Sequence, residues 1–252
     1  MPGRFGSALA GLLLLGIAAS SSSGQVLPPS SLPYGHSYQE WSAKWWQFFY
    51  GQSTNKMEAL GSPGICEGPD SRVLFLNGAP TSTTETKQAT ILADTPLFLA
   101  ILAFTADNTA CPITSFTSNS ADVLAAEAVA GWNSAATLTT CTIDGVAVPG
   151  LENPTNTIYN VVSVPFSYTT AEKDNIVAVS EGEPCLPGGL TVYPAVADGV
   201  YLMLSPLSPG KHTIHFVGEA GPGGSFLKID ITYDITVLHG ADHDHDRDDG
   251  SR

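Results

Sequence analysis

Near the end of the chain Ile229, Ile231, Tyr233, Ile235 and Val237 alternate with Asp230, Thr232, Asp234 and Thr236. A period of two over that length predicts a long strand with one dry and one wet face. Lys211 to Val217, following the turn Pro206-Leu207-Ser208-Pro209-Gly210, supply the strand that pairs with it, and Gly221-Pro222-Gly223-Gly224 supply the hairpin loop. Val73–Leu76 and Leu97–Phe104 are continuous apolar runs, as expected of central strands covered on both faces. Thr137 to Ile143 precede an Asp144-Gly145 turn signal and Val146-Ala147-Val148, a second hairpin. Further strands are predicted at 158–166, 176–179, 190–193 and 200–204.

Two segments have helical periodicity instead. Ser37-Tyr38-Gln39-Glu40 is a capping box and Gly51 a terminating glycine, and between them Tyr38, Trp41, Trp45, Phe48 and Phe49 share one stripe about 100° wide. Trp46 and Tyr50 fall on its flank. A weaker pattern from Ser120 to Gly131 predicts a short connecting helix. Many short strands without a βαβ rhythm indicate a mainly β fold, an antiparallel β-sandwich of immunoglobulin-like or jelly-roll-like type, over residues 34–238.

The ends of the chain read differently. Residues 1–20 carry Arg4, the apolar run Leu9–Ile17 and small residues after it, a signal peptide; the run is about half of what a membrane-spanning helix needs. Residues 21–33, rich in Ser and Pro, are a flexible leader, and residues 239–252 a disordered acidic tail. The protein is therefore expected to be secreted or periplasmic, with no membrane span in the mature chain. Ten Lys and Arg against 24 Asp and Glu, a net charge of −14, exclude nucleic acid as a partner.

Four cysteines, Cys66, Cys111, Cys141 and Cys185, all follow the signal segment and suggest two disulfides in an oxidising compartment. Three pairings are possible. The shortest loop, Cys111 with Cys141, is favoured, at about 3–4 kcal/mol in the chain-entropy view. No CxxC supports a zinc or redox site.

Candidate chemistry is sparse, with no GxSxG, HExxH or phosphate-binding loop in the sequence. His212 and His215 with Glu219 have the residue types of a cupin metal site, but residues three apart in a strand point to opposite faces. His212 is expected inward and hydrogen-bonded. In the tail, His243, Asp244, His245 and Asp246 are metal-ligand types that would give weak divalent-metal buffering; no other cofactor is implied. Glu181 with Glu183, and Asp230 with Asp234, are acids expected on solvated faces. The aromatic helix is a core element, and Trp46, Tyr50 and Tyr34 are the candidate ligand contacts, able to stack on a sugar ring or an apolar partner surface.

Two blocks, Tyr34-Gly35-His36-Ser37-Tyr38-Gln39-Glu40-Trp41-Ser42-Ala43-Lys44-Trp45-Trp46-Gln47 and Ala197–Phe216 with its Pro206-Leu207-Ser208-Pro209-Gly210-Lys211-His212-Thr213-Ile214-His215-Phe216 core, resemble an uncharacterised family of exported bacterial proteins. The resemblance spans roughly residues 34–238 and implies bacterial origin and export; it carries over no catalytic residue. Two positions depart from the pattern: Phe48 stands where a Trp is expected, and Ala89–Leu99 lack a Cys usual before that strand, which leaves the partner of Cys66 open. The expected function is a non-enzymatic binding or interaction protein for an unknown extracellular ligand or protein, the alternative being a hydrolase or metal-dependent enzyme using His212, His215 or dispersed acids.

Overall fold

The capping box closes as the sequence predicts: in a computed structural model, Ser37 Oγ accepts from Glu40 N at 3.3 Å while Glu40 Oε2 accepts from Ser37 N at 2.8 Å. The structure describes residues 25–54, 73–76, 78–79 and 81–239. The predicted signal segment, Cys66 and the His/Asp tail from residue 240 lie outside the described residues. In chain order the elements are β1 (Val26–Leu27), α1 (Tyr38–Tyr50), β2 (Leu74–Leu76), β3 (Thr83–Leu92), β4 (Leu97–Asp107), α2 (Ala121–Ala135), β5 (Ala136–Ile143), β6 (Val146–Ala147), β7 (Asn160–Val162), β8 (Phe166–Thr169), α3 (Ile176–Ser180), β9 (Thr191–Leu204), β10 (Gly210–Ala220) and β11 (Leu227–Leu238).

These build a β-sandwich. One sheet runs β1-β9-β4-β2, and β7 and β8 also pair with β9; the other runs β3-β11-β10-β5-β6. The hairpin β10–β11 pairs antiparallel, Gly210 opposite Val237 through to Ala220 opposite Leu227, as expected. The pairing is mostly antiparallel, as expected, and both sheets are mixed because β2 lies parallel to β4 and β3 parallel to β11. The predicted Asp144-Gly145 turn is present, with φ of +51° and +78°.

The first sheet is buried on both faces, and this explains its unbroken apolar runs. Leu97, Leu99 and Ile101 of β4 and Val200, Leu202 and Leu204 of β9 point between the sheets, against Ile214, Phe216, Ile231 and Ile235. Phe98 and Ala100, with Tyr201 and Met203, point the other way, under the α1 aromatics. The layers are therefore helix, sheet and sheet.

Several local expectations are corrected. Residues 25–33 are placed rather than a free leader: β1 pairs Val26 with Leu204, and short 3₁₀ turns follow. Residues 176–179 form helix α3, because Asn175 caps it by accepting from Val177 N at 2.9 Å. Helix α2 continues past Gly131 to Ala135, which buries Trp132 edge-on to Phe104. The disulfide joins Cys111 to Cys185, with Cα atoms 5.8 Å apart, not Cys111 to Cys141. Cys141 is free and sits on β5 facing the inter-sheet core, where burial pushes its thiol up to about 12.

Along the inward face of β10 the side chains shrink, from His212, Ile214 and Phe216 to Gly218 and Ala220. At Gly218 a Cβ would lie 2.6 Å from the Ile101 carbonyl oxygen and 2.8 Å from Leu102 Cβ, so the sheets approach with no room for a side chain. Ile101 is the extra residue where the β4–β9 register shifts between Ala100 and Leu102. Gly218→Ala is expected to destabilise by about 1–3 kcal/mol, the overpacking range. Chemical denaturation checks this, and an unchanged midpoint would show that the sheets can separate freely there.

Candidate functional site

The two flank residues expected at a contact surface are in the core instead. Trp46 is 6% and Tyr50 0% exposed. Trp46 Nε1 donates to Tyr201 Oη at 2.8 Å, and Tyr50 packs against Tyr168 with ring centroids 4.6 Å apart. They are buried because α1 is enclosed by the sheet beneath and by β8 and α3 beside it, so the dry arc of the helix is wider than its stripe. Tyr34 is 41% exposed, in a 3₁₀ turn ahead of α1.

The histidines part as strand alternation requires. His215 Nε2 pairs with Asp230 Oδ1 across the hairpin at 2.9 Å. His212, 9% exposed and on the opposite face, has Nδ1 at 2.8 Å from Asp144 Oδ2 and Nε2 at 2.8 Å from the Ser208 carbonyl oxygen and 3.3 Å from Ser208 Oγ. Ser, His and Asp thus meet, yet not in the geometry of a charge-relay nucleophile. The shorter contact of Nε2 is to a carbonyl, so this nitrogen is held as a donor and its lone pair is not offered to the hydroxyl. Both ring nitrogens face oxygens of Asp144 and Ser208, while Asp144 Oδ1 accepts from Thr213 N at 2.9 Å. The cluster is a clasp between the Asp144-Gly145 hairpin and the Pro206–Gly210 turn.

The acids do gather, at the other end of β4. Asp107, Glu127, Glu181 and Glu183 line a cleft of about 200 Å³. Asp107 accepts from Tyr168 Oη at 2.6 Å and from Thr109 N and Oγ1, both at 2.7 Å. The Tyr50 hydroxyl donates to Glu181 Oε1 and lies 2.5 Å from Thr105 Oγ1. Glu183 Oε2 is enclosed without a hydrogen-bond partner. Glu181 as a residue is exposed, but its carboxyl end sits among protein atoms, and that desolvation, with the charges of Asp107 and Glu183, raises its pKa. Desolvation and Asp107 raise Glu183 likewise. Sequence reasoning placed Glu181 and Glu183 on solvated faces and did not single out Asp107. The signal was the disulfide: Asp107 stands four residues before Cys111 and Glu181 four before Cys185, so this pairing brings the acids together. Among the described residues no group of three or more His, Cys, Asp and Glu could hold a metal ion, and the predicted tail ligands His243, Asp244, His245 and Asp246 lie outside them.

Beside the cleft, across Thr109, runs a groove of about 310 Å³ between the 108–119 loop and the start of β9. One wall is tied together by Asn108, whose side-chain oxygen accepts from Thr117 Oγ1 at 2.8 Å and Asn119 N at 2.7 Å while its Nδ2 donates to Asn119 O at 3.1 Å. On the opposite side Thr191 and Tyr193 point outward as Val192 points in, and Tyr193 is 68% exposed. No residue lining the groove carries a charge.

No protein-family model and no curated protein matches the chain. A solved structure described as "Structure of PbICP-C in complex with falcipain-2" is similar over 67% of this chain and 100% of that one, at 12% identity and a TM-score of 0.24, which is too distant to bear on fold or function.

The raised carboxyls have a testable sign. A folded-state pKa above the unfolded value means that the native state holds extra protons, so the contribution to stability is present in acid and is lost as pH rises through the folded pKa. Glu181→Gln keeps an acceptor for Tyr50 and removes the charge. It is expected to raise the melting temperature relative to the parent at pH 7.5 and to give no gain at pH 4. Thermal unfolding followed by circular dichroism decides; a gain independent of pH would remove Glu181 from the titrating set.

Proposed function

We propose that the chain is an extracytoplasmic, non-enzymatic binding module whose contact surface is the groove beside Tyr193. The observation that carries this is the groove itself: a large exposed aromatic faces a wall organised in advance by Asn108, with no charged side chain in the lining. The Cys111–Cys185 disulfide supports an oxidising compartment, and no helix among the described residues is long and apolar enough to cross a membrane. The signal-like start and the two family-like blocks support export from a bacterium.

The competing hydrolase reading draws on one specific contact, the meeting of Ser208, His212 and Asp144. Against it stands the occupation of His212 Nε2 by the Ser208 carbonyl. A panel of chromogenic esters, glycosides and phosphate esters separates the two. The expected result is no turnover above a Ser208→Ala control. A rate that falls by about 10³-fold or more in both Ser208→Ala and His212→Ala, the scale of losing a working triad member, would replace the binding reading with the hydrolase.

A further inference from the structure

We infer that the groove beside Tyr193 takes the pyranose ring of a neutral oligosaccharide, with the Tyr193 ring as its stacking surface and Ser118, Asn119 and Thr191 as its polar contacts. The inference rests on the binding reading above and adds to it the chemistry of the ligand.

Three observations carry it. The first is charge. In a chain of net charge −14 the groove lining holds only apolar, hydroxyl and amide side chains; the carboxylates line the neighbouring cleft, from which Glu127 Oε1 accepts from Asn119 Nδ2 at 3.3 Å and leaves the Asn119 side-chain oxygen to the groove. With no cation in the lining, an anionic ligand finds no counter-charge and meets the carboxylate field at close range. A cationic ligand would gain more from the cleft than from the groove. A neutral ligand suits the groove itself.

The second is the pairing of surfaces. A sugar ring presents C–H groups on its faces and hydroxyls around its rim, so it needs an apolar plate flanked by short polar groups. Tyr193, 68% exposed at the mouth, is such a plate, and the hydroxyls and amides around it can serve the rim. A buried apolar ligand would instead call for a lined hydrophobic pocket, and the polar half of this groove argues against one.

The third is preorganisation. The 108–119 loop is fixed at Asn108 by three hydrogen bonds and tethered to the 181–190 segment through Cys111–Cys185. Thr191 is held by a 2.9 Å contact with Thr169 on β8. The walls need no ordering when a ligand enters, which lowers the entropic cost of weak polar contacts.

The test titrates the disulfide-intact full chain with cellohexaose, xylohexaose, maltohexaose and chitohexaose, with an oligogalacturonate as the anionic comparator, by amide NMR. At least one neutral oligosaccharide is expected to shift the amides of Ser118, Asn119, Thr191 and Tyr193. Tyr193→Phe should bind within about threefold of the parent and Tyr193→Ala about tenfold or more weakly, with the melting temperature kept because the residue is exposed. The oligogalacturonate should leave those amides unmoved. Absence of a shift with every neutral probe, equal binding by Tyr193→Ala, or equal binding of the anionic probe each overturns the inference. A peptide that binds through Tyr193 where sugars do not would end the sugar assignment and leave the binding module standing. Turnover that depends on Ser208 would end the module itself.

Discussion

Sealing the outer face of the first sheet is the constraint from which the rest of the structure follows. A sheet apolar on both faces must be covered twice, and here the second cover is one helix of three and a half turns carrying six large aromatic side chains besides Phe48. Five of those side chains are Trp or Tyr with a polar atom that burial would strand, at about 1–3 kcal/mol for each one left unmet, and the Tyr50 hydroxyl is met by Glu181 Oε1. Their partners are spread over the fold: Trp41 donates to Pro33 O, Trp45 to Leu76 O, Trp46 to Tyr201 Oη, and Tyr38 donates to Leu27 O while accepting from Met203 N. The helix thus fixes the chain ahead of it, the short strand β2 and the end of β9 at once.

This is also why the residues ahead of α1 are held. Leu27 O accepts from Tyr38 while its strand neighbour pairs with the end of β9, and Trp41 takes the carbonyl of Pro33. A Ser- and Pro-rich composition predicts flexibility from local preference alone. Here tertiary hydrogen bonds from side chains further along the sequence override it.

The elements legible in the sequence are those set by burial pattern over a single segment. The alternation from Ile229 to Val237, the doubly buried run beginning at Leu97, the Asp144-Gly145 turn and the Ser37 capping box all have causes within a few residues of themselves. What failed depended on distant partners. Trp46 and Tyr50 lie outside a 100° stripe, and only the packing of β8 and α3 against the helix widens the dry arc to include them. Ile176–Ser180 is apolar enough for a strand and becomes a helix because one side chain, Asn175, caps it. The shortest cysteine loop was the cheapest to close, yet Cys141 is spent on the inter-sheet core, so Cys111 finds its partner 74 residues away. The groove was least legible, since an exposed Tyr within a predicted strand has no distinguishing local pattern.

The disulfide end of the sandwich divides into two unlike surfaces, and the division has a physical origin. Carboxylates crowded in the cleft repel one another and can be kept only if donors surround them. Three donors meet Asp107, and the Tyr50 hydroxyl meets Glu181. Oxygens occupied in this way are poorly placed to move protons for a substrate, and their unfavourable burial works against stability at neutral pH. The groove across Thr109 has the opposite character, with no charged side chain in its lining, an aromatic ring largely in solvent, and a wall braced by the Asn108 side chain. A ligand that covers the exposed part of the Tyr193 ring would remove that apolar surface from water. The proposed contact surface is thus the uncharged one, while in the charged cleft donors meet Asp107 and Glu181 and leave Glu183 Oε2 without one.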